Sequence, residues 1–254
     1  MTAASQRPAA LVTGASYGIG EATALALVQG GYDVAVTATR VENLARVQKK
    51  LEGTGAKALP LALDLRSQES IERCFNAAVA GLGRLDLLVN NAGTTIRAFA
   101  NDVTREEWDF VMDPNVDGTF FLTQQMGRHL IAEGRPGSIV NVASTHGLIG
   151  APERSTYGIS KGAIIQMTRM LAVEWGPKGI RVNAVSPGRV LTESPMRQDT
   201  GTDPKYLEAM LARVPLRRFC TPEEVAAAVC YFAGPGAACV TGQILHLDGG
   251  LTVQ

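Results

Sequence analysis

The chain has 254 residues, 46% hydrophobic and 19% charged, with Lys+Arg and Asp+Glu balanced at 24 each. This is ordinary globular composition with ample length for a sizeable core, and its neutral balance gives no electrostatic case for nucleic acid or an anionic membrane surface. No run approaches the ~18 apolar residues of a membrane span, and the opening residues lack the apolar stretch of a secretion signal, so a cytoplasmic protein is expected.

Residues 1–8 read as a flexible tail and residues 9–254 as one domain. A short apolar run at 9–13 has no polar alternation, as in a buried parallel strand. It enters Gly14-Ala15-Ser16-Tyr17-Gly18-Ile19-Gly20, and a helix follows over 21–29. Strand, glycine-rich turn and helix form the setting in which a backbone approaches a pyrophosphate at a helix N-terminus. The spacing is G-x-x-x-G-x-G rather than G-x-G-x-x-G. The second strand, 34–38, ends in Thr37-Ala38-Thr39-Arg40 with no carboxylate for ribose hydroxyls. Thr39 and Arg40 suit a 2′-phosphate better, and Glu42 is slightly late for the ribose.

A helix is expected over 40–51 and a third strand over 57–63, leading to Asp64-Leu65. Asp64 is placed either to accept a hydrogen bond from an adenine amino group or to cap the helix at 67–80. A fourth strand at 85–90 runs into Asn90-Asn91-Ala92-Gly93, small and amide residues that again allow a close ligand. Thr104 to Glu107 reads as a capping box for a helix toward Met112. Pro114 then marks a break or a new start, which puts Asn115 at an irregular point before a helix over 120–132. A fifth strand, 138–143, ends at Ser144.

Tyr157 and Lys161 are four residues apart, on one face of a helix expected over 157–175. An ammonium beside a phenol favours the phenolate and equips the phenol to give or take a proton. Ser144 lies too far back to join them along one helix, so the chain must fold back. Only Lys161, Arg169 and Glu174 are charged in 157–175. A helix so apolar all round must be buried on several sides, which favours packing against a second subunit. A sixth strand, within 179–186, precedes Pro187-Gly188. Residues 189–205 have no apolar period and read as a loop over the site, extended to 214 by a short amphipathic helix at 206–214. Thr221-Pro222-Glu223-Glu224 opens a helix to about 233, and 243–247 is a last strand. Cys74, Cys220, Cys230 and Cys239 form no C-x-x-C pair, and with three histidines show no metal-ligand spacing. Reduced, mostly buried thiols and no metal are expected. The β–α alternation implies a single-domain, Rossmann-type α/β fold, a doubly wound parallel sheet with helices on both faces.

Five motifs stand in one order: Thr13 to Gly20, Asp64, Asn90-Asn91-Ala92-Gly93, the set Asn115, Ser144, Tyr157 and Lys161, and Pro187-Gly188 with Thr192. Together they resemble the short-chain dehydrogenase/reductase family, over essentially all of the chain from residue 9. The resemblance implies a catalytic tetrad of Asn115, Ser144, Tyr157 and Lys161. Tyr157 would exchange a proton with the substrate oxygen, Ser144 orient that oxygen, Lys161 assist the phenol and bind the nicotinamide ribose, and Asn115 hold a relay water. It implies cofactor contacts at Gly14, Ser16, Tyr17, Gly18, Ile19, Gly20, Thr39, Arg40, Asp64, Leu65, Asn91, Ala92, Gly93, Tyr157, Lys161, Pro187, Gly188, Val190 and Thr192. Two positions depart from family habit: Tyr17 stands where NADP-dependent members often carry a basic residue, and Ala38 where NAD-dependent members usually carry Asp. NADP is the expected cofactor, with NAD an alternative.

For the substrate, His146 and Arg97 lie near the expected pocket, with Arg154 a third candidate beside Ser144. A basic lining suits a sugar acid or keto acid, and some sugar-acid and polyol members resemble this region. A 3-oxoacyl thioester reductase is the alternative, and a non-catalytic dinucleotide-binding sensor or scaffold is the alternative of another class. The partners expected are a small-molecule substrate and, as family members commonly pair through this helix, further copies of the chain in a dimer or tetramer through 157–175.

Overall fold

The computed structural model of the chain describes residues 7–192 and 204–253. Seven parallel strands form one sheet: β1 (Ala9–Val12), β2 (Asp33–Ala38), β3 (Ala58–Ala62), β4 (Leu87–Asn90), β5 (Gly137–Val142), β6 (Ile180–Pro187) and β7 (Ile244–Leu247). They pair in the order β3-β2-β1-β4-β5-β6-β7. Sequence order therefore reverses between β1 and β4, the switch point at which open α/β sheets bind ligands beyond their strand ends. Val12, the last residue of β1, lies opposite Val36 on one side and Val89 on the other, so β1 stops short of both neighbours.

The described helices are α1 (Gly18–Gln29), α2 (Ala45–Leu51), α3 (Gln68–Leu82), α4 (Arg105–Met112), α5 (Gly118–Ala132), α6 (Ser155–Trp175), α7 (Pro204–Ala212) and α8 (Pro222–Ala233). Successive strand residues point to opposite faces, and the two faces carry separate cores. Val12, Val36, Val89 and Val140 meet Leu27 of α1 and Phe232 of α8. Leu11, Leu88 and Ile139 meet Phe75 of α3 and Met126 of α5. Each fully buried side chain of this size contributes about 1.5–3 kcal/mol, and burial on both faces explains why the strands read as unbroken apolar runs.

Several boundaries differ from the sequence expectation. α1 begins at Gly18 inside the glycine turn, and α6 begins at Ser155, so Tyr157 sits in its first turn. The expected helix at 40–51 opens as a 3-10 turn, Val41–Leu44, before α2. α3 runs on to Leu82, where Gly83 takes the left-handed conformation that ends it. Ser67 caps α3 by accepting from the Ser70 N–H, which leaves the Asp64 side chain out of the cap. The expected loop at 189–205 is shortened because α7 starts at Pro204, and 193–203 lie outside the described residues. Residues 1–6 of the expected tail also lie outside them. Arg7 belongs to the domain, since its guanidinium donates to the Gly31 and Tyr32 carbonyls at 3.0 and 3.2 Å. Of the four free cysteines only Cys74 is buried.

Pro114 does not break the helix. α4 and α5 join through a π-helical turn, Asp113–Asp117. A proline cannot donate to the carbonyl four residues back, and the Phe110 carbonyl instead accepts the Thr94 hydroxyl at 2.9 Å.

At the opposite end of the sheet, Asp86 ties β1 and β4 together. It accepts from the Ala9 N–H at 2.9 Å, from both arms of Arg84, and from Arg135 at 2.6 Å. Burial alone would raise its carboxyl, but Arg84, the Ala9 amide and Arg135 outweigh burial and hold it below the ordinary range. Such a group stabilises the fold above its unfolded pKa and loses that contribution as pH falls through the folded value. Asp86→Asn is expected to cost about 1.5–3 kcal/mol near neutral pH. Urea denaturation at several pH values should show the difference from the parent shrinking below pH ~3.9.

Candidate active site

The expected sites converge on one edge of the sheet, beyond the C-terminal ends of β1, β4, β5 and β6. Gly14 and Gly18 hold φ values of 64° and 60°, a left-handed conformation that glycine adopts at no steric cost. A Cβ on Gly14 would lie 2.9 Å from Ala92 Cα, and one on Gly18 would lie 2.9 Å from Thr192 Cγ2. The turn, the Asn91-Ala92-Gly93 segment and the strip after β6 therefore enclose bare backbone at the N-terminus of α1. Ser16, Tyr17, Ile19 and Gly20 complete that turn, with Tyr17 at the N-cap of α1. N–H groups and the positive dipole end of a helix at such a place fit a pyrophosphate.

Asn91 braces the turn from behind. Its Nδ2 donates to the carbonyls of Thr13 and Gly14, both at 2.9 Å. Thr13 completes the brace, since its hydroxyl accepts from the amides of Asn91 and Ala92 at 2.9 and 3.0 Å. Along the rim, Thr39 and Arg40 are exposed at the end of β2. Asp64 holds a two-pronged pair with Arg66 at 3.0 and 2.9 Å, and that guanidinium, ahead of the opposing effect of burial, lowers its carboxyl. Leu65 is buried next to it. Pro187 closes β6, and Gly188 passes close to Asp248, which a Cβ there would meet at 3.1 Å. Val190 bridges to Cys220.

Beside this cradle lies a corner of four polar groups. Ser144 follows β5 and is buried, its hydroxyl accepting from the His146 N–H at 3.2 Å. Tyr157 and Lys161 project from the first two turns of α6, with Lys161 Nζ 5.8 Å from the centroid of the Tyr157 ring. The Lys161 ammonium is buried and donates to the Val142 carbonyl at 2.7 Å. Asn115 sits in the π-turn. Its Nδ2 donates to the Thr94 carbonyl and the Ser160 hydroxyl at 2.9 and 3.0 Å, and its Oδ1 accepts from the Thr94 N–H at 2.7 Å. Gly93 faces this corner, where a Cβ would lie 3.1 Å from Asn115 Oδ1 and 3.7 Å from Lys161 Nζ.

The three basic groups expected to line the pocket stand differently. The His146 ring meets the Tyr157 ring edge-on at 6.1 Å. Burial, then the charges of Arg154 and Arg213, push its pKa down, so the imidazole is neutral near pH 7. Arg154 donates to Thr95 Oγ1 at 3.1 Å. Arg97 pairs with Glu153 at 3.2 Å and so sits next to Arg154. Sequence reasoning names Thr13 only as the first residue of the glycine motif, without its bracing role, and misses Ser160. Ser160 directly precedes Lys161, and that adjacency is the available signal.

A family profile described as enoyl-(acyl carrier protein) reductase matches residues 14–252. The 3-oxoacyl-[acyl-carrier-protein] reductase of Thermotoga maritima is 40% identical over 243 residues, covering 96% of this chain and 97% of that protein. Among solved structures, a short-chain type dehydrogenase/reductase from Mycobacterium marinum is 34% identical, covers 97% of this chain and 96% of its own, and superposes with a TM-score of 0.91. A gluconate 5-dehydrogenase from Burkholderia cenocepacia, solved with NADP and tartrate, is 29% identical with the same coverage and a TM-score of 0.91.

A Cβ on Gly20 would lie 2.2 Å from the Gly14 carbonyl oxygen and 2.6 Å from Asn91 Nδ2. Gly20→Ala must therefore open the turn, at a cost of about 1–3 kcal/mol. Calorimetric titration with NADPH should show binding weakened ~10-fold or more. Gly150→Ala, where a Cβ meets nothing within 4 Å, should bind as the parent does.

Proposed function

The chain belongs to the short-chain dehydrogenase/reductase family and is an NAD(P)-dependent oxidoreductase, and on that premise we propose that Tyr157, Lys161, Ser144 and Asn115 carry the proton side of its reaction. The observation that carries this reading is the buried Lys161 ammonium, 5.8 Å from the Tyr157 ring. The nicotinamide, when bound, supplies or accepts the hydride at the substrate carbon. In the reducing direction Tyr157 gives its hydroxyl proton to the substrate oxygen, and in the oxidising direction it takes that proton back. Lys161 stabilises the phenolate by charge. Ser144 donates a hydrogen bond to the substrate oxygen and orients it. Asn115, held by Thr94 and Ser160, positions a water through which Lys161 exchanges protons with solvent. The glycine turn, Asn91 to Gly93 and the Pro187–Thr192 segment hold the dinucleotide. Arg40, exposed at the end of β2 with alanine at position 38, supports NADP over NAD.

His146 and Arg154 beside Tyr157 support a small hydroxy or keto substrate, in the class of sugar acids, polyols and keto acids. The gluconate 5-dehydrogenase solved with tartrate supports the same class. Reduction of 3-oxoacyl thioesters is the second reading, favoured by the 40% identity to the Thermotoga maritima reductase. Steady-state rates on D-gluconate, D-threitol and acetoacetyl-CoA, each with both cofactors, separate the two, because turnover of the thioester alone rejects the first. Tyr157→Phe is expected to lose on the order of 100- to 10,000-fold in turnover while still binding NADPH in a fluorescence titration. Turnover near that of the parent rejects the role given to Tyr157.

The reading extends to assembly and setting. A groove of about 710 Å³ between α5 and α6 is lined by Phe120, Phe121, Met167 and Met170, and both phenylalanines and Met170 are exposed. Apolar surface of this kind on two long helices fits a second copy of the chain. Four unpaired cysteines support a reducing, cytoplasmic setting. Light scattering should give a dimer or tetramer, with Met170→Asp shifting the mass toward the monomer. A monomeric parent rejects the assembly.

A further inference from the structure

The helices that carry the proposed catalytic groups are joined by two hydrogen-bonded rungs. The near rung runs from Asn115 Nδ2 to Ser160 Oγ at 3.0 Å, and Ser160 Oγ donates onward to the Tyr157 carbonyl at 2.8 Å. The far rung is longer and passes through the sheet. It starts at the Pro114 carbonyl, which accepts the Thr119 hydroxyl at 3.0 Å, and the Thr119 carbonyl accepts the Thr123 hydroxyl at 2.7 Å. Asn90 Nδ2 donates to Thr123 Oγ1 and to Asn141 Oδ1, both at 2.8 Å. Asn141 Nδ2 donates to Thr168 Oγ1 at 2.9 Å, and Thr168 Oγ1 donates to the Ile164 carbonyl at 2.8 Å.

Three features make the far rung more than incidental polar filling. Thr123, Asn141 and Thr168 are each 0% exposed and Asn90 is 5% exposed, so every group left unpaired there carries a desolvation penalty. Its polarity is also fixed: the Thr123 and Thr168 hydroxyls each donate to their own helix and accept an amide N–H, so Asn90 and Asn141 fit in one orientation only. Finally, the strand residues it uses stand next to the site. Asn90 directly precedes Asn91, and Asn141 is three residues before Ser144. The rungs meet α6 at Ser160 and Thr168, eight residues or roughly 12 Å apart.

We propose that Asn141 and Thr168 are positioning residues, which through the Asn90–Asn141–Thr168 chain fix the axial register of α6 against β4 and β5 and so set where Tyr157 and Lys161 stand relative to Ser144. Apolar burial holds helix to sheet but is non-directional, so by itself it does not choose an axial register. A directional contact about two turns below Lys161 and three below Tyr157 supplies that choice. A displacement near 1 Å is enough to cost on the order of 100-fold in rate. The inference rests on the roles given above to Tyr157 and Lys161.

The test replaces Thr168 by valine, which keeps the shape and removes the hydroxyl, and by serine, which keeps the hydroxyl. The assay is NADP-dependent oxidation of D-gluconate or NADPH-dependent reduction of acetoacetyl-CoA, whichever the parent turns over faster. It is run well below the melting temperature of each variant, with NADPH affinity measured alongside. Thr168→Val is expected to lower kcat ~10-fold or more with NADPH affinity within about twofold, and Thr168→Ser to keep kcat within about threefold of the parent. Thr123→Val breaks the same rung from α5 and is the second test should Thr168→Val fail to fold; it should lower kcat in the same way. A folded valine variant at either position with parental kcat overturns the inference, as does loss of NADPH affinity in step with kcat. An active Tyr157→Phe overturns the underlying reading instead.

Discussion

The Lys161 ammonium is withdrawn from solvent, with 6% of the residue exposed, and its Nζ donates to the Val142 carbonyl at 2.7 Å. Burying a cation is costly unless polar groups surround it, and much of the local architecture answers that need. Val142 ends β5, so the carbonyl that holds the ammonium is placed by the sheet. Gly93 carries no side chain where one would press on Asn115 and approach Nζ. Gly147 does the same on the other side, because a Cβ there would lie 2.8 Å from the Lys161 backbone carbonyl. Two glycines and a strand end thus make room for the charge beside the Tyr157 ring.

The same economy appears at Pro114. The proline removes one donor from the α4–α5 helix, and the chain answers with a π-turn rather than a break. The Phe110 carbonyl, which the proline cannot serve, accepts Thr94 Oγ1, and within the turn the Pro114 carbonyl accepts Thr119 Oγ1. Asn115 lies between them, and its amide satisfies both backbone groups of Thr94. The segment after Gly93 is thereby pinned to the helix at three points. An α-helix of regular pitch would leave Thr94 without these partners, so the imperfection in the helix is what fastens the loop beside the cofactor edge.

Much of this was legible in the chain itself, for definable reasons. Buried parallel strands announce themselves as short apolar runs, and both capping boxes, Thr104 with Glu107 and Thr221 with Glu224, form as their spacing implies. Pro114 marks an irregularity, but proline chemistry fits a break and a bulge equally, and the deciding partner, Thr94, is twenty residues away in sequence. The far rung was illegible for a related reason. Asn141 and Thr168 sit inside runs that read as strand and apolar helix, where one polar residue looks like a tolerated exception. Their meaning depends on Asn90 and Thr123, which only the folded sheet brings to them.

Charge at the substrate side shows the limit of composition most clearly. Arg97, His146 and Arg154 suggest a uniformly basic lining, yet Glu153 engages Arg97 at 3.2 Å and His146 is kept neutral by burial and by Arg154. Glu153 achieves its contact from a left-handed conformation, φ 59°, which costs a non-glycine residue on the order of 1 kcal/mol. The Arg97 pair and the bond from Arg154 to Thr95 both fasten the 95–97 segment to the start of α6. The local excess of positive charge is therefore smaller than a count of arginines gives. The basic groups beside Tyr157 are then a neutral imidazole and one guanidinium tied to Thr95 and Ile96. In such an arrangement the direction of hydrogen bonding counts as much as the charge.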